Sequence, residues 1–227
     1  ESFGWPARTH GFGVIDLAGF PKGVYHLYQS QWNKAPMVYM DPHWTHPGKE
    51  GVEIPVVVYT NQPVAELFLN GRSLGKKSMG KQMQLLWKVP YSPGELKVVA
   101  SKNGKEVRSM SYQTAGKPAA VRITTDRRWL RPGSADVAHL TLDVMDAAGV
   151  PVPDAANRLS FEVTGPGQLI GLENGDILDL DPHKIKNRKL FSGKLLALVQ
   201  AVDETGEISV KVSGQGLQAA SVVLHVK

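Results

Sequence analysis

Apolar residues in this chain recur with a period of two, in short runs broken by turn residues. This constrains the fold more than any other feature. Successive side chains of a strand point to opposite faces, so each such run has one face to bury and one to leave in water. Val52, Ile54, Val56 and Val58 alternate before Asn61, and residues 82 to 89 alternate again. Val64 to Leu69 runs into Asn70-Gly71, and Leu96 to Ser101 runs into Asn103-Gly104. Asn-Gly favours a two-residue hairpin because both residues tolerate positive φ. Roughly seven short strands, closed into a β-sandwich, are expected over residues 36–115. Ala115-Gly116-Lys117-Pro118 reads as a linker. A second β-rich series then begins at Val121-Arg122-Ile123 and continues through His139–Met145, Leu159–Val163, Leu195–Gln200, Ile208–Val212 and Ala220–Val226. The intervals hold Gly165-Pro166-Gly167 and a long stretch, Gly171 to Lys189, rich in Asp, Lys and Asn and without strand period; long loops of this kind often carry function.

One stretch has a helical period. Val24, Leu27, Tyr28 and Trp32 follow Pro21 at spacings of three and four, which predicts an apolar stripe with Pro21 in the first turn. Composition narrows the class. No apolar run approaches the ~20 residues of a membrane span, and 42% apolar against 21% charged residues is globular, neither disordered nor coiled-coil. With no cysteine there is no disulfide, thiolate nucleophile or cysteine-bound zinc. The formal charge of +5 is spread along the chain between apolar positions, the pattern of solvent-facing strand residues, so neither nucleic acid nor a membrane is expected as partner. Glu1-Ser2-Phe3-Gly4-Trp5-Pro6 has neither the basic nor the apolar region of a signal peptide, and the chain reads as a mature or excised piece.

Several pattern matches fail on context. Gly71-Arg72-Ser73-Leu74-Gly75 fits the G-x-S-x-G nucleophile elbow, which needs a strand turning into a helix, whereas here a hairpin turn leads into a strand. Gly75 to Lys81 fits the start of a phosphate-binding P-loop, but Gln82 stands where a Ser or Thr would hold magnesium and no helix follows. Asp41-Pro42-His43-Trp44-Thr45-His46 sets two imidazoles and a carboxylate close in sequence without a helix to aim them at a metal. Asn174-Gly175-Asp176 with Asp179 and Asp181 could gather calcium, yet the spacing is not that of an EF-hand, and an Asx turn explains the same residues. Exposed aromatics stack on sugar rings. Trp44 and Trp129 are the candidates, Trp129 alternatively packing over guanidinium groups of Arg127-Arg128-Trp129-Leu130-Arg131. Trp5 and Trp32 are expected in a junction and Trp87 in a core.

Several runs together resemble the multidomain bacterial β-galactosidases of glycoside hydrolase family 2. Gly13 to Lys22 with Tyr28-Gln29-Ser30-Gln31-Trp32 is similar to the end of that family's catalytic (β/α)8 barrel. Pro42-His43-Trp44, Val58-Tyr59-Thr60-Asn61 and Ala65 to Gly75 are similar to the sandwich that follows. Thr114 to Ala119, Asn174-Gly175-Asp176 and Ser192-Gly193-Lys194 resemble the terminal sandwich of longer members. The resemblance implies a mainly β chain of two tandem immunoglobulin-like β-sandwiches preceded by a short helical barrel remnant, with divisions at 1–35, 36–115 and 116–227. Retaining glycosidases need two carboxylates about 5–5.5 Å apart. In this family both lie upstream of the matched region, and Glu1, in the stretch similar to the tail of the last barrel strand region, is not one of them. No residue here inherits a catalytic, metal or cofactor role.

The resemblance therefore implies a non-catalytic C-terminal part of a retaining β-galactosidase, inactive alone, which braces the barrel. One loop, Asp41 to Gly48 or Gly171 to Lys189, would reach the active-site rim or bind sugar, with Trp44, His43, Asn174 and Asp176 as the candidate sugar-binding residues. The remainder of the parent enzyme and carbohydrate are the implied partners, a homo-oligomer is compatible, and a periplasmic or secreted location is expected by analogy. The alternative is an independent carbohydrate-binding or adhesion module.

Overall fold

A computed structural model describes residues 6–9 and 11–227. The expectations for Glu1-Ser2 and for Trp5 lie outside the described residues. The chain is mainly β and divides into two compact units: residues 21–114, and residues 115–227 together with the described part of the first twenty. The segment 1–35 is thus shared between two units.

The first unit opens with α1 (Gly23–Trp32), where the 3.6-residue period predicted a helix. It starts later than expected. Lys22 is the N-cap, extended at φ −90 and ψ 168, so Pro21 lies outside the first turn. The strands are β1 (Val38–Asp41), β2 (Glu53–Thr60), β3 (Val64–Leu69), β4 (Arg72–Ser78), β5 (Leu85–Pro90), β6 (Glu95–Lys102) and β7 (Lys105–Gln113). They form two antiparallel sheets, β1-β2-β5 and β4-β3-β6-β7. Alternation decides which faces meet. Leu85, Trp87 and Val89 of β5 are buried and their neighbours exposed, while Ala65, Leu67, Leu96 and Val98 come from the other sheet into the same core. Both predicted hairpin turns form, with Asn70 and Gly71 at φ 51 and 78, and Asn103 and Gly104 at φ 53 and 75. Strand β7 lies at a sheet edge and is exposed along most of its length, its Lys105, Glu106 and Arg108 being the charges that keep an edge from pairing with another chain.

The second unit contains β8 (Pro118–Thr125), β9 (Trp129–Leu130), β10 (Val137–Asp146), β11 (Arg158–Thr164), β12 (Gly167–Glu173), β13 (Asn187–Lys189), β14 (Lys194–Ala201), β15 (Gly206–Gly214) and β16 (Ala220–Val226). One sheet runs β12-β14-β10-β8 and the other β13-β11-β15-β16-β9. Leu140, Leu142, Leu195 and Val199 of the first and Leu159, Val210, Val212 and Leu224 of the second share one core. Each buried Leu or Val contributes about 1.5–3 kcal/mol relative to an exposed one. The stretch expected to lack strands between Gly171 and Lys189 is shorter than anticipated, because β12 takes its first three residues and β13 its last three. Gly167 and Gly171 and a register shift between Leu169 and Gly171 mask the alternation of β12. Strand β13 carries the buried Arg188 where an apolar residue would have signalled it.

Candidate functional site

Trp44, the expected sugar platform, is 0% exposed. Its indole packs edge-on to Tyr91 at 5.1 Å, and its Nε1–H donates to the Ser92 carbonyl at 3.0 Å. The residue's carbonyl accepts from Thr114 Oγ1 at 2.7 Å. Both polar ends are consumed inside the first unit, so Trp44 offers no face to a ligand; the sequence placed it in a polar loop, and the core claims it. His43, half-buried, accepts the Thr45 N–H on Nδ1 at 3.2 Å and stacks on His46 at 4.8 Å. Among the described residues no three His, Asp or Glu side chains converge as a metal site.

Near the start of this loop, Asp41 lies beside α1. A Cβ on Gly23 would meet its carboxylate, which is why the helix begins on a glycine there. His26 stacks on Tyr39 at 3.5 Å. Burial raises the Asp41 pKa, opposed by the charge of His26, and burial likewise raises Tyr39 and Tyr112, which share a hydrogen bond.

The helix stripe is not covered. Val24 and Tyr28 are exposed and Trp32 is 76% exposed, Tyr28 and Trp32 stacking on each other at 5.1 Å. What α1 buries is Ser30, whose hydroxyl donates to Leu27 O. Val24, Tyr28 and Trp32 are therefore left to solvent while Leu27, the fourth residue of the stripe, is half-buried, and Trp32, expected in a junction, is at the surface.

Both enzymatic decoys resolve as strand features. Ser73 lies on β4 and its hydroxyl donates to Glu66 Oε1 at 2.7 Å, with no imidazole among its hydrogen-bond partners in the described residues. The P-loop-like run ends in a groove of about 680 Å³ between Lys77–Ser78 and Gln82–Leu86, where Lys77 Nζ donates to the Leu86 carbonyl. No helix N-terminus follows it.

In the second unit, Asn174 and Asp176 belong to a densely bonded loop. Asn174 is buried; its Oδ1 accepts the Asp176 N–H at 3.0 Å, the Asx turn expected from the sequence, and its amide donates to Asp179 Oδ2 and to Lys189 O. Asp176 accepts the Leu178 N–H. Asp179 also takes Arg188 Nε at 3.0 Å, and Asp181 pairs with Arg158 at 2.9 Å. These carboxylates face arginines and backbone N–H groups, which is incompatible with a calcium shell of oxygens. Arg188 is 0% exposed and its Nη1 donates to the carbonyls of Leu172 and Pro182.

Four residues not singled out from the sequence, Arg8, Asp16, Glu173 and Arg188, organise this loop. Arg8 sets both guanidinium nitrogens on the Glu173 carboxylate, while its backbone N–H donates to Ile177 O at 2.8 Å. Glu173 also accepts the N–H groups of Asn174 and Gly175 at 2.9 and 3.0 Å. Burial pushes the Glu173 pKa up, but the Arg8 bond, the Gly175 N–H and the charges of Arg8 and Arg188 outweigh it and hold the group below its ordinary value. Asp179 is lowered in the same way, burial being outweighed by the Asp181 N–H and Arg188. His183 stands beside the pair, with Nδ1 3.3 Å from Glu173 and Nε2 2.9 Å from Arg8 Nη2. Further along, Asp16 Oδ1 accepts from the N–H groups of Ala18 and Phe20, and the Asp16 carboxylate lies where a Cβ on Gly175 would go. Lys194 Nζ sits 5.5 Å from the centre of the Phe20 ring. The sandwich thus grips the segment 6–20 through Arg8, Asp16 and Phe20. No sequence pattern links Arg8 to a partner 165 residues away.

Residues 121–223 match glycoside hydrolase family 2 C-terminal domain 5, and residues 51–108 match a domain of unknown function, DUF4982. A β-galactosidase of Bacteroides ovatus is 40% identical over 220 residues, covering 96% of this chain and 26% of its own length. A putative β-glucuronidase of Formosa agariphila is 39% identical over 91% of this chain and 20% of its own. Among solved structures, a β-glycosidase from Bacteroides vulgatus superposes with a TM-score of 0.96 at 43% identity, over 98% of this chain and 29% of that one. The chain spans about a quarter of the length of such relatives.

Proposed function

We propose that this chain, which belongs to the C-terminal region of the family 2 glycoside hydrolases, is the non-catalytic C-terminal part of a retaining β-galactosidase acting on terminal β-galactosides. In this reading its sandwiches are immunoglobulin-like and residues 1–35 are the end of the catalytic barrel. The carboxylate pair of the reaction comes from the rest of the polypeptide. The observation that carries the reading is the uncovered stripe of α1. Val24, Tyr28 and Trp32 form an exposed apolar row of the kind that marks an interface, and relatives of the matched length have some three-quarters of a further polypeptide to lay against it.

Within the chain, Arg8, Asp16 and Phe20 tie the segment 6–20 to the terminal sandwich. The sandwich then works as a brace: it fixes a stretch of the barrel's end without touching substrate. Positioning of this kind is sensitive, since a displacement of about 1 Å in a catalytic group can cost on the order of a hundredfold in rate.

The test compares the full-length enzyme with the isolated chain on p-nitrophenyl β-galactoside and p-nitrophenyl β-glucuronide. Turnover is expected only from the full-length protein and faster on the galactoside; faster glucuronide cleavage would reassign the substrate. Trp32→Asp in the full-length enzyme should lower its melting temperature and activity together. Hydrolysis by the isolated chain, or a Trp32→Asp enzyme of unchanged stability, would refute the reading.

A further inference from the structure

The edge of the terminal sandwich carries an aromatic and cationic face that the bracing role leaves unused. Strand β9 pairs in parallel with β16, setting Trp129 beside His225 and Leu130 beside Val226. The pairing is held by the N–H of His225 to Arg128 O at 2.8 Å and of Lys227 to Leu130 O at 3.0 Å. Leu130 and Val226 point into the core, so by strand alternation Trp129, His225 and Lys227 share the outer face. Trp129 is 53% exposed. The sequence offered guanidinium groups as its packing partners. Instead the His225 imidazole stacks on it at 4.5 Å, and Lys227 Nζ lies 3.4 Å from the ring centre.

The charges around this indole are not balanced. Asp126 and Asp136 are taken by Arg127, and Asp126 also by His139. Glu207 pairs with His225 at 3.5 Å. Among the described residues, the guanidinium groups of Arg128 and Arg131 and the ammonium of Lys227 enter no ion pair, and both arginines are exposed. Arg131, exposed, follows directly on β9, two residues beyond Trp129 in the chain.

We propose that this face, built on Trp129, His225 and Lys227 with Arg131 next in the chain to β9, binds a uronate-bearing oligosaccharide. An indole offers a stacking surface for the apolar side of a pyranose ring. The cations beside it supply donors and positive charge, which suit a carboxylate on the sugar better than a neutral galactoside. The aromatic contacts hold Lys227 in place, so less side-chain freedom is lost when it pairs with an anion. Single-stranded nucleic acid fits less well, because it calls for several stacking platforms along a basic groove, and here one exposed indole stands with a single ammonium, that of Lys227, over its ring.

The test is calorimetric titration of the 227-residue chain with a purified oligogalacturonate, with a neutral galacto-oligosaccharide, a sulfated heparin fragment and a single-stranded oligonucleotide as comparison ligands. The oligogalacturonate should bind and the neutral sugar should not. Trp129→Ala, which leaves the net charge unchanged, should weaken binding about tenfold, the loss of one stacking contact. Arg131→Gln and Lys227→Gln should each weaken it about two- to fivefold and flatten its salt dependence. Arg131→Gln removes no bond made by the guanidinium in the folded chain, and it keeps the test decisive if Trp129→Ala lowers stability. Three results would overturn the proposal: no binding of oligogalacturonate, binding that Trp129→Ala and Arg131→Gln leave unaltered, as bulk attraction to a basic protein would be, or tighter Trp129-dependent binding of the heparin fragment or the oligonucleotide.

Discussion

Replacing Trp44 by alanine separates a binding role from a packing role. The side chain is fully buried among Met40, Val56, Leu96 and Tyr91, so its removal leaves a void that the two sheets of the first unit close only in part. Large aromatic-to-alanine changes in such sites cost about 3–5 kcal/mol. The lost indole N–H bond also leaves the Ser92 carbonyl without its partner, adding about 1 kcal/mol. In a unit of roughly a hundred residues each kcal/mol moves the melting temperature by about 4–8 °C. A depression of about 15–50 °C is therefore expected for the transition of the first unit, read by calorimetry so that the second unit's transition serves as an internal reference. Trp44→Phe, which keeps an aromatic ring and loses the N–H, should fall by a third of that or less. A Trp44→Ala chain melting within about 4 °C of wild type would refute the packing argument. So would normal melting combined with lost sugar affinity, which would restore Trp44 as a ligand platform.

Four further outcomes follow from the second unit. Arg8→Ala should release the segment 6–20 from the sandwich, seen as faster hydrogen exchange at the amides of Arg8, Ala18 and Phe20 with exchange in β10 and β14 unchanged. Glu173 is held below its ordinary value of 4.5, so its stabilisation is fully present above that pH and is lost as the pH falls through the lowered folded-state value; Glu173→Gln should melt lower than wild type at pH 7, by a margin that narrows as the pH is taken below 4.5. Gly175→Ala should be destabilising twice over, by a φ of +83 and by a Cβ placed on the Asp16 carboxylate, and Asp16→Gly should relieve only the second part in a double-variant melt. Asp146 takes N–H bonds from Gly116, Val150 and Ala148, and those of Gly116 and Val150 do most to lower its pKa; the advantage of wild type over Asp146→Asn in urea unfolding should be full at neutral pH and shrink as the pH drops through 3.8.

What could be read in the sequence was local. Asn70-Gly71 and Asn103-Gly104 adopt the positive φ values that make them hairpin turns, and β3 and β16 have the bounds expected from their alternation. The family resemblance rests on the same kind of contiguous run and is borne out across the chain. Burial was harder to read than period. Nothing near Trp44 in sequence says that Ser92 and Tyr91 close over it, and nothing in the regular spacing of Val24, Tyr28 and Trp32 says that this stripe is left open. A periodic stripe shows that a face is apolar, while what covers it depends on residues distant in sequence.

The polar network of the terminal sandwich shows the same limit from the other side. Asn174-Gly175-Asp176 attracts attention because Asn, Gly and Asp are the residues of turns and of ligands alike, and the Asx turn satisfies them locally. Their neighbour Glu173 does the long-range work. Its carboxylate stays charged in a half-closed site because one arginine approaches it from the start of the chain and two backbone N–H groups point at it from the turn, an arrangement that compensates the cost of burying the charge. Removing either partner leaves the other uncompensated, so the turn and the segment 6–20 are held by the same charge. A loop that reads as a ligand site is then better understood as a fastening: its polar groups are spent on the chain itself. The indole of Trp129, half in solvent with the Lys227 ammonium over its ring, is where the proposed sugar contact falls instead.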